Sequence, residues 1–233
     1  MVEINKIGFI GGGRITRIIL SGFKNAGKID EYKYIISDIQ PEVLERIKRE
    51  YSGVTITDNN KEVISSNIIF LAVHPPAIEK VAEEIKTSLT QDKILISLAP
   101  KVTIAKLLKM LNGFNRIVRM ISNAPSIINR GYNPVHFSTS ITQKEKIELL
   151  SILDILGESH EIEEEKLEEY AILTAMGPIY LWFQLFELND IAKSFGLRDE
   201  EIEEGIIKMV YSAVKTIYKS GISPFFCNGF GSC

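Results

Sequence analysis

The sequence predicts an α/β fold: a doubly wound sheet followed by a smaller all-α domain. Three observations carry this. Short β-branched or apolar runs alternate with longer segments of helical period through the first two thirds of the chain, the pattern of βαβ units around a parallel sheet. The first apolar run ends in three glycines and opens directly into a helical segment. From residue 161 onward the strand-like alternation stops and long helical segments follow.

Taken in order, strands are expected at 6–11, 34–37, 54–56, 67–73, 93–98, 117–120 and 134–138. Between them, 14–26, 41–51, 75–89, 103–111 and 143–156 place apolar residues at three and four spacing, with Pro41 and Pro75 in first helical turns. The acidic run from Glu161 to Glu169 marks a boundary, after which helices are expected at 167–189 and 199–219. The stretch Ile179-Tyr180-Leu181-Trp182-Phe183 is apolar on nearly every side, so another protomer is expected to cover it.

Composition narrows the function classes. Apolar residues make 45% and charged residues 24% of the 233, which excludes a disordered, collagenous or fibrous chain. A balance of 27 basic against 30 acidic residues leaves no field to attract nucleic acid or an anionic membrane. The opening MVEINKIGFIGGG carries charges and glycines where a signal peptide has its apolar core. No uninterrupted apolar run approaches the ~18 residues of a membrane span. With cysteine only at Cys227 and Cys233, too few for a disulfide scaffold, a cytoplasmic protein is expected.

The strongest local signal is Gly8-Phe9-Ile10-Gly11-Gly12-Gly13-Arg14-Ile15-Thr16. In a Rossmann-type dinucleotide site Gly11 permits the tight turn and Gly13 lets backbone approach the pyrophosphate. The amides of the helix opening at Arg14 and Ile15 then hold the charge. Thr16 stands where glycine or alanine is usual, so helix and strand are expected slightly further apart. Asp38 follows the second strand, where a carboxylate accepts hydrogen bonds from the adenosine ribose and repels a 2′-phosphate; Arg14 or another cation nearby offsets that repulsion, so NAD and NADP both stay open.

The fourth strand ends in Ala72-Val73-His74-Pro75 and the fifth in Leu98-Ala99-Pro100, the strand ends at which such sheets bind ligands. His74 is a candidate proton donor, set against the reading of an ordinary loop histidine. His136 and His160 read as structural. No metal-ligand spacing occurs, and no metal is expected. The carboxylates Glu161, Glu163, Glu164, Glu165, Glu168 and Glu169 read as a solvated helix start with no chemistry.

These segments together resemble the pyrroline-5-carboxylate reductase family, which makes proline by reducing a cyclic imine with NAD(P)H. Gly8 to Gly13 is similar to its glycine loop and Asn60-Lys61-Glu62 to its asparagine-containing cofactor segment. Leu71-Ala72-Val73-His74-Pro75 resembles a strand end at which the family carries lysine in place of His74. Val118-Arg119-Met120-Ile121-Ser122-Asn123-Ala124-Pro125 resembles its V-R-x-M-P-N-x-P stretch, and Ala175-Met176-Gly177-Pro178-Ile179-Tyr180 its G-S-G-P-A-Y helix start.

The resemblance implies cofactor contacts at Gly11, Gly13, Asn60, Ala72, Val73, His74 and Pro75, joined by Arg14, Ile15 and Asp38 from the residue pattern. It places Asn123 and the turn from Thr174 to Gly177 beside the nicotinamide or substrate, with Thr174 and Asn123 as catalytic candidates. Residues 1–160 then form the Rossmann-like domain and 161–233 a helical substrate and dimerisation domain, so that a homodimer or higher homo-oligomer is expected. The chain departs from the family in Met176, where a serine is usual, and after Pro224, where the family leads into an S-P-G-G-T-T type segment that binds substrate. The implied function is NAD(P)H-dependent hydride transfer to a C=N bond of a small cyclic imine. Reduction of another small imine or carbonyl compound, and a dinucleotide-binding module without chemistry, are the alternatives.

Overall fold

The computed structural model describes residues 4–220. The shortened tail expected at 222–233, with both cysteines, lies outside the described residues. Strands β1 (Lys6–Ile10), β2 (Lys33–Ser37), β3 (Thr55–Thr57), β4 (Ile68–Leu71), β5 (Ile94–Ser97), β6 (Ile117–Met120), β7 (Gly131–Phe137) and β8 (Gly157–Glu161) form one sheet in the order β3-β2-β1-β4-β5-β6-β7-β8. The first six strands run parallel, β7 is antiparallel to β6, and β8 is parallel to β7. The Rossmann-type expectation is thus borne out, with an added edge.

Helices cover both faces because adjacent strand residues point to opposite sides. Phe9 stacks on Phe70 with ring centroids 4.8 Å apart, and both pack among Ile19, Leu20 and Phe23 of α1 (Arg14–Asn25) and Leu44 and Ile47 of α2 (Pro41–Glu50). Leu149 and Leu153 of α6 (Gln143–Leu153) extend the same core. On the other face Ile10, Ile69 and Leu71 meet Val63 of α3 (Asn60–Val63), Val81 and Ile85 of α4 (Ile78–Ile85) and Leu107 of α5 (Ile104–Met110). Each such side chain contributes about 1.5–3 kcal/mol when fully buried.

Differences from the sequence expectation fall where hydrophobic pattern is weak. Strand β8 falls between the helix expected at 143–156 and the acidic run that starts at Glu161, where no strand is expected; it is an edge strand with mostly exposed residues, so no apolar alternation marks it. Strand β7 begins at Gly131 rather than at Pro134. The helix expected from Pro75 starts as a 3₁₀ turn, Pro75–Ala77, before α4.

The chain divides into a compact unit through Gly177 and a second unit from Pro178. The first unit includes the acidic run, α7 (Leu167–Tyr170) and a π-helical stretch, Ala171–Met176. The second contains α8 (Gly177–Ser194) from Pro178 on and α9 (Asp199–Ser220). In α8 the apolar side chains are exposed, Phe183 at 77% and Phe186 at 69%. The continuous helical run Glu164–Ser194 is, by length and composition, apolar enough to cross a membrane, although polar and charged residues interrupt its apolar sequence.

Candidate functional site

The order of strands reverses between β1 and β4, and their carboxyl ends form the crevice in which doubly wound sheets bind ligands. Gly11 turns the chain there with φ +101°, and its amide donates to the Ser37 carbonyl at 2.8 Å. A Cβ on Gly11 would lie 2.5 Å from the Ala72 carbonyl oxygen, so the two strand ends touch through backbone. Gly13 caps α1 with no side-chain partner, no acidic residue follows in the first turn, and open space lies where its Cβ would stand. The helix thus presents unpaired first-turn amides to this crevice.

Thr16 packs between helix and turn. It is buried in the position usual for glycine, and its hydroxyl donates to the Gly11 carbonyl at 2.5 Å, tying helix to turn. Arg14 is exposed and Ile15 half-buried at the opening of α1. Asp38 is fixed by two amides, Gly12 N on Oδ2 at 2.7 Å and Gln40 N on Oδ1 at 2.9 Å, leaving lone pairs on both oxygens for further donors. The Asn60 side chain accepts from Ser37 Oγ at 2.7 Å and donates to Glu84 Oε2 at 2.7 Å, which binds the end of β2 to α4. Ala72 and Val73 are half-buried, while His74 and Pro75 are exposed at the mouth.

Further along the sheet, Asn123 and Thr174 come together as the sequence expects of one site. Asn123 is 5% exposed and its Nδ2 donates to the Thr174 carbonyl at 3.0 Å, while the Asn123 amide donates to Asn133 Oδ1 at 3.3 Å. The Thr174 hydroxyl donates to the Tyr170 carbonyl at 2.9 Å. Its proton is committed, and only its lone pairs remain to receive a donor. Thr174 lies in the π-helical stretch, a geometry frequent at functional sites.

The acidic run is not a solvated helix start throughout. Glu164 Oε1 accepts from Arg119 Nη1 at 3.1 Å and from the Ile104 amide at 2.6 Å. Glu168 Oε1 accepts from Arg119 Nη2 at 2.6 Å and from the Lys101 amide at 2.6 Å. Burial alone would raise the Glu168 carboxyl, but the Arg119 guanidinium and the Lys101 amide hold it below the usual range. The sequence did carry a signal: an arginine inside a buried strand requires anionic partners, and Glu164 and Glu168 stand one helical turn apart. His136 is structural as expected, its Nδ1 2.7 Å from the Ile162 carbonyl oxygen. Among the described residues no group of three or more His, Cys, Asp or Glu could hold a metal ion.

A family model described as NADP oxidoreductase coenzyme F420-dependent matches residues 6–101. The chain is 26% identical to pyrroline-5-carboxylate reductase of Escherichia coli over 220 residues, covering 94% of this chain and 81% of the relative. It is 28% identical to the human pyrroline-5-carboxylate reductase 2 over 195 residues, 82% of this chain and 61% of that one. The structure of a pyrroline-5-carboxylate reductase from Coxiella burnetii superposes with TM-score 0.76 at 27% identity, covering 99% of this chain and 86% of that one. Over nearly its whole length the chain is similar to pyrroline-5-carboxylate reductases. A further structure, the Plasmodium falciparum pyrroline carboxylate reductase with NADP bound, shares the fold with TM-score 0.80 at 23% identity, covering 100% of this chain and 86% of that one. The two positions at which the sequence departs from that resemblance, His74 and Met176, are both exposed, Met176 at 46%.

Proposed function

We propose that the protein reduces pyrroline-5-carboxylate to proline with NAD(P)H as the hydride source. The observation that carries this reading is that one sheet unit holds both an uncapped glycine turn after β1 and the bonded pair Asn123–Thr174 beyond β6. The residues present fit a dinucleotide. Gly13 leaves room for a pyrophosphate against the α1 amides, and Asp38, already oriented by Gly12 and Gln40, retains acceptor capacity for ribose hydroxyls.

Bound NAD(P)H supplies the hydride. Gly11, Gly13, Arg14 and Ile15 hold the phosphates, and Ala72, Val73, His74 and Pro75 border the nicotinamide half. Asn60 acts by fixing the end of β2. Asn123 holds the carbonyl of Thr174 and so orients the turn beside the substrate. A protonated imine is already electrophilic and needs no strong general acid; the Thr174 hydroxyl, with its proton given to Tyr170, suits acceptance from an iminium N–H.

Met176 at the pocket edge favours a second reading, reduction of another small imine or carbonyl compound. A panel of such substrates with NADH and NADPH, read beside coenzyme titrations, tests both. Turnover greatest with pyrroline-5-carboxylate supports the first reading, greater turnover of another substrate supports the second, and coenzyme binding with no turnover of any member identifies a module without chemistry.

The protein is further proposed to act in the cytoplasm as a homo-oligomer joined through α8 and α9, most of whose large apolar side chains are exposed. A membrane is the poorer partner. Glu164 and Glu168 are bonded to Arg119 and Thr174 to Asn123, so this part of the apolar helix is held by the sheet unit. The uncharged remainder, 175–186, is shorter than the ~20 residues a span requires.

A further inference from the structure

Arg119 is a cationic side chain within β6, paired parallel to β5 on one side and antiparallel to β7 on the other, and is only 2% exposed. Its Nε has no hydrogen-bond partner, while both terminal nitrogens are paired to carboxylates. Replacing such a buried cluster by apolar side chains is often neutral or stabilising, so stability alone gives little reason to build it. What the cluster does possess is geometry. Glu164 and Glu168 each use one oxygen twice, once for Arg119 and once for a backbone amide, that of Ile104 at the start of α5 for Glu164 and that of Lys101 in the loop after β5 for Glu168.

We propose that Arg119, through Glu164 and Glu168, is a positioning residue that fixes the loop after β5 and the start of α7 in one arrangement and thereby sets the place of the substrate-side turn 174–177. This rests on the reading that the 174–177 turn borders the substrate. The loop needs holding. Lys101 adopts φ +62°, a left-handed conformation that is unfavourable for a residue with a Cβ, and its amide is bonded to Glu168. The segment beyond α7 needs holding too, because the π-helical stretch 171–176 departs from the regular helical bonding pattern.

Strand β6 and the residues after it grip this segment at two points. Arg119 takes it at Glu164 and Glu168, and Asn123 takes it at the Thr174 carbonyl. Between the two grips Tyr170 stacks against Tyr132 with ring planes 16° apart. A guanidinium reaches two carboxylates at once with a rigid planar fork, which a lysine ammonium cannot reproduce.

The test compares Arg119→Lys, Glu168→Ala and Glu168→Gln in the full chain. Three quantities are read: NADPH affinity by titration, kcat and KM with pyrroline-5-carboxylate, and hydrogen exchange of amides in 99–104 and 171–177. Arg119→Lys and Glu168→Ala are expected to lower kcat/KM for the imine by about 10- to 100-fold while NADPH affinity stays within about twofold. Exchange in both segments should quicken about tenfold with the amides of β1 and β4 still protected. Glu168→Gln keeps an oxygen able to accept from Arg119 and Lys101 and should recover most of the activity and protection.

Coenzyme affinity and strand protection falling together with turnover would reduce Arg119 to structural support and overturn the proposal, as would unchanged exchange in both disruptive variants. If the unmodified protein does not turn over pyrroline-5-carboxylate, the substrate assignment fails, and the exchange measurement still decides whether the cluster positions the turn. If Arg119→Lys does not fold, the Glu168 pair of variants decides it.

Discussion

Gly11 and Gly13 stand two residues apart and differ in what they tolerate. Gly11 has φ +101° and faces the Ala72 carbonyl, so Gly11→Ala should both destabilise the fold by more than about 1 kcal/mol and abolish coenzyme binding. Gly13 is extended with open space before it, so Gly13→Val should leave the melting temperature nearly unchanged, within about 0.5 kcal/mol, while weakening coenzyme binding about tenfold or more. Paired thermal and titration measurements separate the two roles. Asp38 gives a third prediction: Asp38→Ser should raise kcat/KM for NADPH relative to NADH by about tenfold, because it removes the charge that repels a 2′-phosphate, and no change in that ratio would exclude Asp38 from ribose recognition.

The elements near the sheet's far edge are governed by Arg116 and Glu145. Glu145 closes a capping box with Thr142 at the start of α6, and the Arg116 guanidinium bonded to it, aided by Thr142, holds its carboxyl at about 2 against an ordinary 4.5. A carboxyl lowered in the folded state contributes stability above its unfolded value and loses it as pH falls through the folded value. Melting temperature should therefore decline between about 4.5 and about 2 more steeply in the unmodified protein than in Glu145→Gln. Equal slopes would mean that the pair adds nothing.

Which elements the sequence makes legible follows from the same physics. The turn at Gly11 to Gly13, its helix and the strands through 120 are readable because local period and glycine chemistry set them. Strand β8 is not, since an exposed edge strand of sequence GESHE has no apolar face to reveal it. The role of Glu164 and Glu168 is hidden for a different reason: their partner Arg119 lies at least 45 residues away in the chain, and only the folded sheet brings them together. Asn123 and Thr174, also distant in sequence, were reached through family motifs rather than through period.

For the molecule as a unit, the exposed aromatic and aliphatic side chains of α8 are the dominant feature, with Phe183, Phe186 and Leu181 all more than half exposed. An exposed apolar patch of this kind marks an interaction surface. Sedimentation of the full chain should give a dimer or larger homo-oligomer, and Phe183→Glu with Phe186→Glu should shift it to monomer without unfolding the sheet unit. A monomeric unmodified protein would remove the oligomer from the account.

If reduced coenzyme held at the β1–β4 crevice reduces a C=N bond, the absorbance of NADH and of NADPH, followed with and without pyrroline-5-carboxylate and with proline measured as product, reads the reaction itself. Oxidation of reduced coenzyme should depend on the imine and yield one proline per coenzyme consumed. Tight coenzyme binding with no imine-dependent oxidation would contradict it.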